Sequence, residues 1–106
     1  MRLVLMNGSA KGKEFDLVTG TNLIGRWDPD DAAFPEVDLE TEDSEAKISR
    51  KHAMVRVISG AVTVEDLGSL NGTFLNRTQK LEKGKPLALK AGDEINVGAL
   101  MLRFEP

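Results

Sequence analysis

Cysteine is missing from this chain altogether. Its absence excludes a disulfide framework, thiol catalysis and a cysteine zinc site, and it fits a reducing compartment. Long apolar runs are missing too. The N-terminal run spans only Leu3 to Met6, too short for a signal peptide or a membrane span. The reading is a soluble cytoplasmic chain without a membrane partner. Aromatic residues are few, four Phe and one Trp, and the formal net charge is −3 with the basic residues scattered. That combination argues against nucleic acid as a partner, which needs stacking platforms and a basic face. A sustained helical period is the last absence.

What remains is a pattern of short apolar runs separated by turn residues. Over 106 residues, 41% of them hydrophobic, this predicts one domain, 1–106, with a real core. The candidate strands are 2–6, 14–18, 21–25, 37–39, 53–58, 61–66, 73–75, 86–89, 94–97 and 100–104. Their spacing points to an all-β sandwich or barrel. The clearest unit is MVRVI-SG-AVTVE, 54–65. A two-residue turn at Ser59-Gly60 would pair Ile58 with Ala61, Val57 with Val62, Arg56 with Thr63 and Val55 with Val64. One face is then all valine and the other polar, as one wall of a sandwich requires.

Charge is unevenly spread. Residues 27–47 hold nine acids against one base, Lys47, while the rest of the chain holds 13 bases against 8 acids. Asp28-Pro29 suggests a cap and a helical turn near 28–33, and DSEAK suggests another at 43–47. Val37-Asp38-Leu39 reads as a short strand between them, and most of the segment as exposed loop.

Several chemistries fail on spacing. Ser49 and His52 invite a nucleophile–base pair, but there is no G-x-S-x-G elbow. An extended 48–52 would send the two side chains to opposite faces. A buried His52 ring bonded to nearby backbone is the better reading, so no catalytic residue is assigned. DPDDAAFPEVDL lacks the glycine and terminal glutamate of an EF-hand. No metal or other cofactor is expected. NGSAKGK, with Gly8 and Gly12, and GTNLIGR both fail the phosphate-loop pattern for a nucleotide.

Three pieces stand apart: LIGRW (23–27), KISRKHA (47–53) and EDLGSLNGTFLN (65–76). Singly, each has a bland reading as a strand end, an exposed turn or an Asn-Gly turn. In order, they read Gly25-Arg26, Ser49-Arg50-Lys51-His52 and Ser69-Leu70-Asn71-Gly72-Thr73, followed by Ala91-Gly92-Asp93 and Gly98. That ordered set resembles the forkhead-associated (FHA) domain, bacterial type, over about residues 3 to 104.

The resemblance implies a β-sandwich of about eleven strands with recognition loops at one end. It also implies a non-catalytic protein-interaction module that reads phosphothreonine in Ser/Thr kinase signalling. Arg26, Ser49 and Arg50 match phosphate-binding positions. Ser69, Leu70, Asn71 and Lys47 match peptide-binding ones, Lys47 facing the residue three places after the phosphothreonine. Gly25, His52, Gly72 and Thr73 match structural support. The partner implied is a phosphorylated peptide of another protein or of a second copy, written by an upstream Ser/Thr kinase. A phosphate-independent scaffold or dimerisation module on the same fold is the alternative. Leu70 departs from the polar residue common at its position. The acidic segment, bounded by Gly25-Arg26 and Ser49, is longer than the family pattern. It either shields the site, favours basic flanks in the ligand, or is a solvated loop screened within about 8–10 Å.

Overall fold

Alternation between buried and exposed residues builds two walls, and their inner faces meet in one core. A computed structural model describes residues 1–106. In chain order the strands are β1 (Arg2–Leu5), β2 (Glu14–Asp16), β3 (Gly20–Gly25), β4 (Val37–Asp38), β5 (Lys51–Ile58), β6 (Ala61–Asp66), β7 (Thr73–Leu75), β8 (Gln79–Lys80), β9 (Leu87–Ala88), β10 (Glu94–Val97) and β11 (Leu100–Glu105). Six strands form one sheet in the order β2-β1-β11-β10-β7-β8, and five form the other in the order β4-β3-β5-β6-β9. Leu3, Leu5, Ile95, Val97, Leu102 and Phe104 face inward from the first; Ile24, Val55, Val57, Val62 and Val64 face them from the second. The expected all-β sandwich is the fold.

The 54–65 hairpin forms in the predicted register, from Val55 opposite Val64 to Ile58 opposite Ala61. Ser59 and Gly60 both take positive φ, 50° and 79°, as a tight turn matched to strand twist requires. Most other strand predictions hold to within a residue or two at each end. β8 was not anticipated: Gln79-Lys80 is two exposed polar residues, and only its pairing with Phe74 and Leu75 makes it a strand.

The acidic segment departs further from expectation. Asp28 does cap a turn of 3-10 helix, Pro29–Asp31, its carboxylate accepting from the Asp30 N–H. No helical turn forms at 43–47. Instead the Asp43 carboxylate accepts from the Lys47 and Ile48 N–H groups at 2.9 and 3.0 Å, and Ala46 takes a positive φ of 53°. The segment is largely exposed yet firmly tied. Glu36 accepts from the Leu23 N–H at 2.6 Å, and Asp38 accepts from the Trp27 and Glu40 N–H groups. Val37 and Leu39 are fully buried, β4 pairs in parallel with β3, and Trp27 meets Phe34 edge to face at 5.0 Å. Local side chain–backbone bonds have replaced regular structure here, as Asp favours.

One irregularity places the loops. Ile24 faces Ala53, but Gly25 faces Lys51, so His52 is an extra residue on β5. This bulge turns His52 into the interior. It also brings the strands so close that a Cβ on Gly25 would lie 1.9 Å from the Arg50 carbonyl oxygen. Backbone cannot yield there as a flexible side chain could. Gly25→Ala should therefore destabilise the chain by about 3 kcal/mol or more, read as a lowered urea midpoint. A loss under about 1 kcal/mol would show that the strands can spread.

Candidate functional site

Three loops meet beyond the bulge: 26–36 after β3, 39–50 before β5, and 67–72 between β6 and β7. His52 joins two of them. It is fully buried. Its Nδ1 accepts from the Ser49 N–H at 3.0 Å, and its Nε2 lies 2.8 Å from the Gly72 carbonyl oxygen. An N–H can only donate and a carbonyl can only accept, so the ring is neutral with its hydrogen on Nε2. Both ring nitrogens are spent on backbone, and neither meets the Ser49 hydroxyl. The segment before β5 is not extended; the chain turns there and brings the Ser49 N–H, not its hydroxyl, to the ring. The outcome is still the predicted one, a buried, backbone-bonded histidine.

The 67–72 loop is organised by Asp66. Its carboxylate accepts from the Ser69 hydroxyl at 2.5 Å, the Thr73 hydroxyl at 2.7 Å, and the Gly68 and Ser69 N–H groups at 2.8 and 3.1 Å. Burial pushes this carboxyl up, but those four donors outweigh it and hold it below the usual range. Ser69 thus turns its hydroxyl inward, while Leu70 is left 89% exposed at the tip. Gly72 carries a φ of 85°, a backbone conformation suited to glycine. Asp66 was not singled out from the sequence. An Asp followed by Gly and Ser at two and three residues is nonetheless a turn signal.

Across the gap, the Leu70 N–H donates to the Ser49 hydroxyl oxygen at 3.0 Å, and the Asn71 side-chain amide donates to the Lys47 carbonyl at 2.9 Å. Gly98, between β10 and β11, supports the same loop from below; a Cβ there would meet Ile48 at 2.9 Å and Lys47 at 3.1 Å. Arg26 Nε donates to the Ile48 carbonyl at 2.6 Å. Its outer nitrogen lies 3.4 Å from Glu40, and Asp43 stands 3.8 Å from Nε. Arg50 pairs with Asp28 at 2.6 Å. Arg26, Ser49, Arg50, Lys51 and Asp31 line an open basin of about 420 Å³. Arg26, Lys47, Ser49, Leu70 and Asn71 line a smaller one beside it. The predicted site residues therefore gather in one place, except that Ser69 and Thr73 act from beneath through Asp66. Lys47 stands half-exposed beside Glu45. The acids Asp28, Glu40 and Asp43 also belong to this place, which the sequence reading left undecided. No three His, Cys, Asp or Glu side chains converge on a cation site, and no helix is long and apolar enough to cross a membrane.

Comparison with known proteins matches residues 22–98 to the FHA domain family. This chain belongs to the FHA family. Among similar FHA proteins is the oxoglutarate dehydrogenase inhibitor of Corynebacterium efficiens, 37% identical over 96% of this chain and 63% of that protein. Another is the glycogen accumulation regulator GarA of Mycolicibacterium smegmatis, 35% identical over 96% of this chain and 56% of that protein. The chain spans less than two thirds of the length of these relatives. Among solved structures, the FhaA FHA domain complexed with the intracellular domain of Rv3910 is 27% identical with a TM-score of 0.76; the likeness covers 96% of each chain. The N-terminal FHA domain of Rad53p from S. cerevisiae, in complex with a phosphothreonine peptide, is 25% identical over 96% of this chain and 89% of that one, TM-score 0.76. The FHA domain is a non-catalytic interaction module, and the geometry of His52 agrees: a ring bonded twice to backbone cannot serve as base to Ser49.

Burial pushes the His52 imidazole down, outweighing the Gly72 carbonyl and the nearby Asp66 and Asp43 charges, which act the other way. Its folded value thus lies below the usual 6.5. On acidification the unfolded chain takes up this proton first. Stability is therefore full above about pH 6.5 and is lost as the pH falls toward the lowered folded value, by at most about 1.4 kcal/mol per pH unit. Asp66, held low, keeps its own contribution until the pH falls below about 4. The urea midpoint should accordingly fall between about pH 7 and pH 5. His52→Gln should be less stable at neutral pH but flat over that interval; parallel profiles would refute a neutral buried ring.

Proposed function

We propose that these 106 residues form one recognition module that binds phosphothreonine peptides, with Arg26, Ser49, Arg50 and Asn71 as its contacts. The observation that carries this is the state of the Ser49 hydroxyl. Its oxygen already accepts from the Leu70 N–H, so its hydrogen is left to donate, at the edge of a basin that also holds two guanidinium groups. A phosphate brings roughly −1.5 to −2 charge and three acceptor oxygens, and a set of converging charged and neutral donors suits it. Arg26 is pre-aimed by the Ile48 carbonyl, which reduces the ordering cost of binding.

Asn71 gives one amide hydrogen to Lys47. Its other hydrogen and its carbonyl remain for a ligand peptide bond. Leu70, exposed at the loop tip, offers an apolar surface in place of a hydroxyl. Lys47 favours an acidic residue three places after the phosphothreonine. Gly25, His52, Gly72 and Thr73 support the loops rather than touch the ligand, and Ser69 joins them through Asp66. The partner is a protein marked by a Ser/Thr kinase, or a second copy of this chain, and the setting is the cytoplasm. Regulators and inhibitors among the relatives support control by docking.

The test is a titration with one peptide in phosphothreonine, phosphoserine and unphosphorylated forms. Arg26→Ala and Ser49→Ala should each lower phosphothreonine affinity at least about tenfold, since hydrogen bonds to charged groups are worth about 1.5–3 kcal/mol. Phosphoserine should bind more weakly through the missing methyl, by about 1–3 kcal/mol. Lys47→Ala should remove a preference for acid at the third position. Binding indifferent to phosphate and to Arg26, in a folded chain, would favour the phosphate-independent scaffold.

A further inference from the structure

The largest cavity is not the arginine basin. It is an open groove of about 620 Å³ between the 67–72 loop and the segment that begins with β8. Leu70 stands between the two places: it lines this groove and also the smaller basin that holds Arg26, Ser49 and Asn71. The opposite wall carries Lys80 and Lys83. That wall is fixed. Leu81 is buried, its N–H donates to the Thr73 carbonyl, and the Gly84 N–H donates to the Asp66 carbonyl.

Both lysines lie along the loop. A Cβ on Gly72 would stand 3.1 Å from the Lys80 Cε, and one on Gly68 would stand 3.1 Å from the Lys83 Cε. Their stems cover backbone while their heads stay in water. β8 is the edge of its sheet, where lysine commonly deters another strand. That purpose does not account for Lys83, which lies beyond the strand, or for two stems laid on one loop. Neither ammonium has an acid partner, whereas Arg26 and Arg50 each meet one. Glu82, between them in sequence, is taken by Lys85 at 2.6 Å.

We infer that this groove is a second anion site, which takes Asp and Glu side chains flanking the phosphothreonine of a bound peptide. The inference rests on the phosphothreonine reading above for the peptide's first anchor. Chemistry separates the two places. A phosphate suits fixed, converging donors, and the loop donors beside the groove are already spent. The Gly68 and Ser69 N–H groups and the Ser69 hydroxyl bond Asp66, and the Leu70 N–H bonds Ser49. What remains is two flexible point charges. They suit carboxylates along an extended segment without dictating one position. An incoming acid displaces no ion pair there. A peptide already held at Arg26 and Ser49 meets the groove at high effective concentration, so even weak exposed pairs add to its affinity.

The experiment titrates phosphothreonine peptides with neutral flanks, or with glutamates before or after the phosphothreonine. The third position after it stays neutral throughout, so that Lys47 takes no part. Further arms are a neutral-flanked peptide with a second phosphothreonine, and the glutamate-flanked peptides without phosphate. Lys80→Met with Lys83→Met removes both charges and keeps the stems over the glycines. Lys80→Arg with Lys83→Arg keeps the charges. The control is Lys90→Met, an exposed lysine before β10, at the end of that strand opposite Gly98.

In the unaltered chain, glutamates on one flank should raise affinity about three- to tenfold over neutral flanks, and less so at high salt. The methionine pair should erase that gain; the arginine pair and Lys90→Met should keep it. The inference is overturned, with phosphate-dependent binding still standing, by no gain on either flank or by a gain that survives the methionine pair. An equal loss in Lys90→Met, or a gain given only by the second phosphate, overturns it too. Glutamate-flanked binding that needs Lys80 and Lys83 but is indifferent to phosphate and to Arg26→Ala overturns the phosphothreonine reading and leaves the groove as an acid site. Indifference to both phosphate and flank overturns both.

Discussion

A neutral imidazole buried between two loops is the interaction on which the site depends. His52 takes a hydrogen bond from the Ser49 N–H and gives one to the Gly72 carbonyl. Two loops far apart in sequence thereby become one surface. The bulge at Gly25 is the reason the ring can do this, since an added residue on β5 points it inward. Protonation would put a hydrogen on the nitrogen that faces the Ser49 N–H, so burial and geometry both favour the neutral form. The same clasp explains why a Ser-x-x-His sequence here carries no nucleophile.

Two buried or nearly buried carboxylates do for the flanking loops what His52 does for the centre. Asp66 gathers four donors and shapes 67–72, and Asp43 gathers two backbone donors and shapes 43–48. Each spends its lone pairs inside its own turn, so the charge is compensated where it is buried. The side chains left at the surface are those with unused bonding capacity: the Ser49 hydrogen, part of the Asn71 amide, and the guanidinium groups of Arg26 and Arg50, which meet Glu40 and Asp28, with Asp43 beside Arg26. Rigid below and exchangeable above is the division expected of a binding surface built on loops.

That division also sorts the acids of 27–47, which are alike in sequence and different in role. Glu36 and Asp38 fasten backbone, Asp43 stays buried beside Arg26, Asp28 and Glu40 cover arginines, and Asp31 lies open at the rim. The sequence suggested exposed loop with two helical turns and a short strand, and gave most of these acids no role. Partners, not composition, separate them.

Alternation in β5 and β6 was enough to give their register, because a period of two ties each valine to a face and a tight turn leaves one alignment. The ordered Gly-Arg, Ser-Arg-x-His and Ser-x-Asn-Gly-Thr pieces likewise pointed to the family, since each reflects a turn or donor whose residue choice is narrow. β8 was illegible because two exposed polar residues become a strand only against β7. The expected helical turn at 43–47 was lost because Asp43 found better use for its oxygens as a cap on Lys47 and Ile48. Sequence by itself determined the sandwich, its clearest hairpin and the names of the candidate site residues, for those depend on periodicity and on local backbone demands. Only the tertiary structure decided which hydroxyl points outward and which acid covers which arginine. Those are contacts between loops distant in the chain, and no local pattern records the partner.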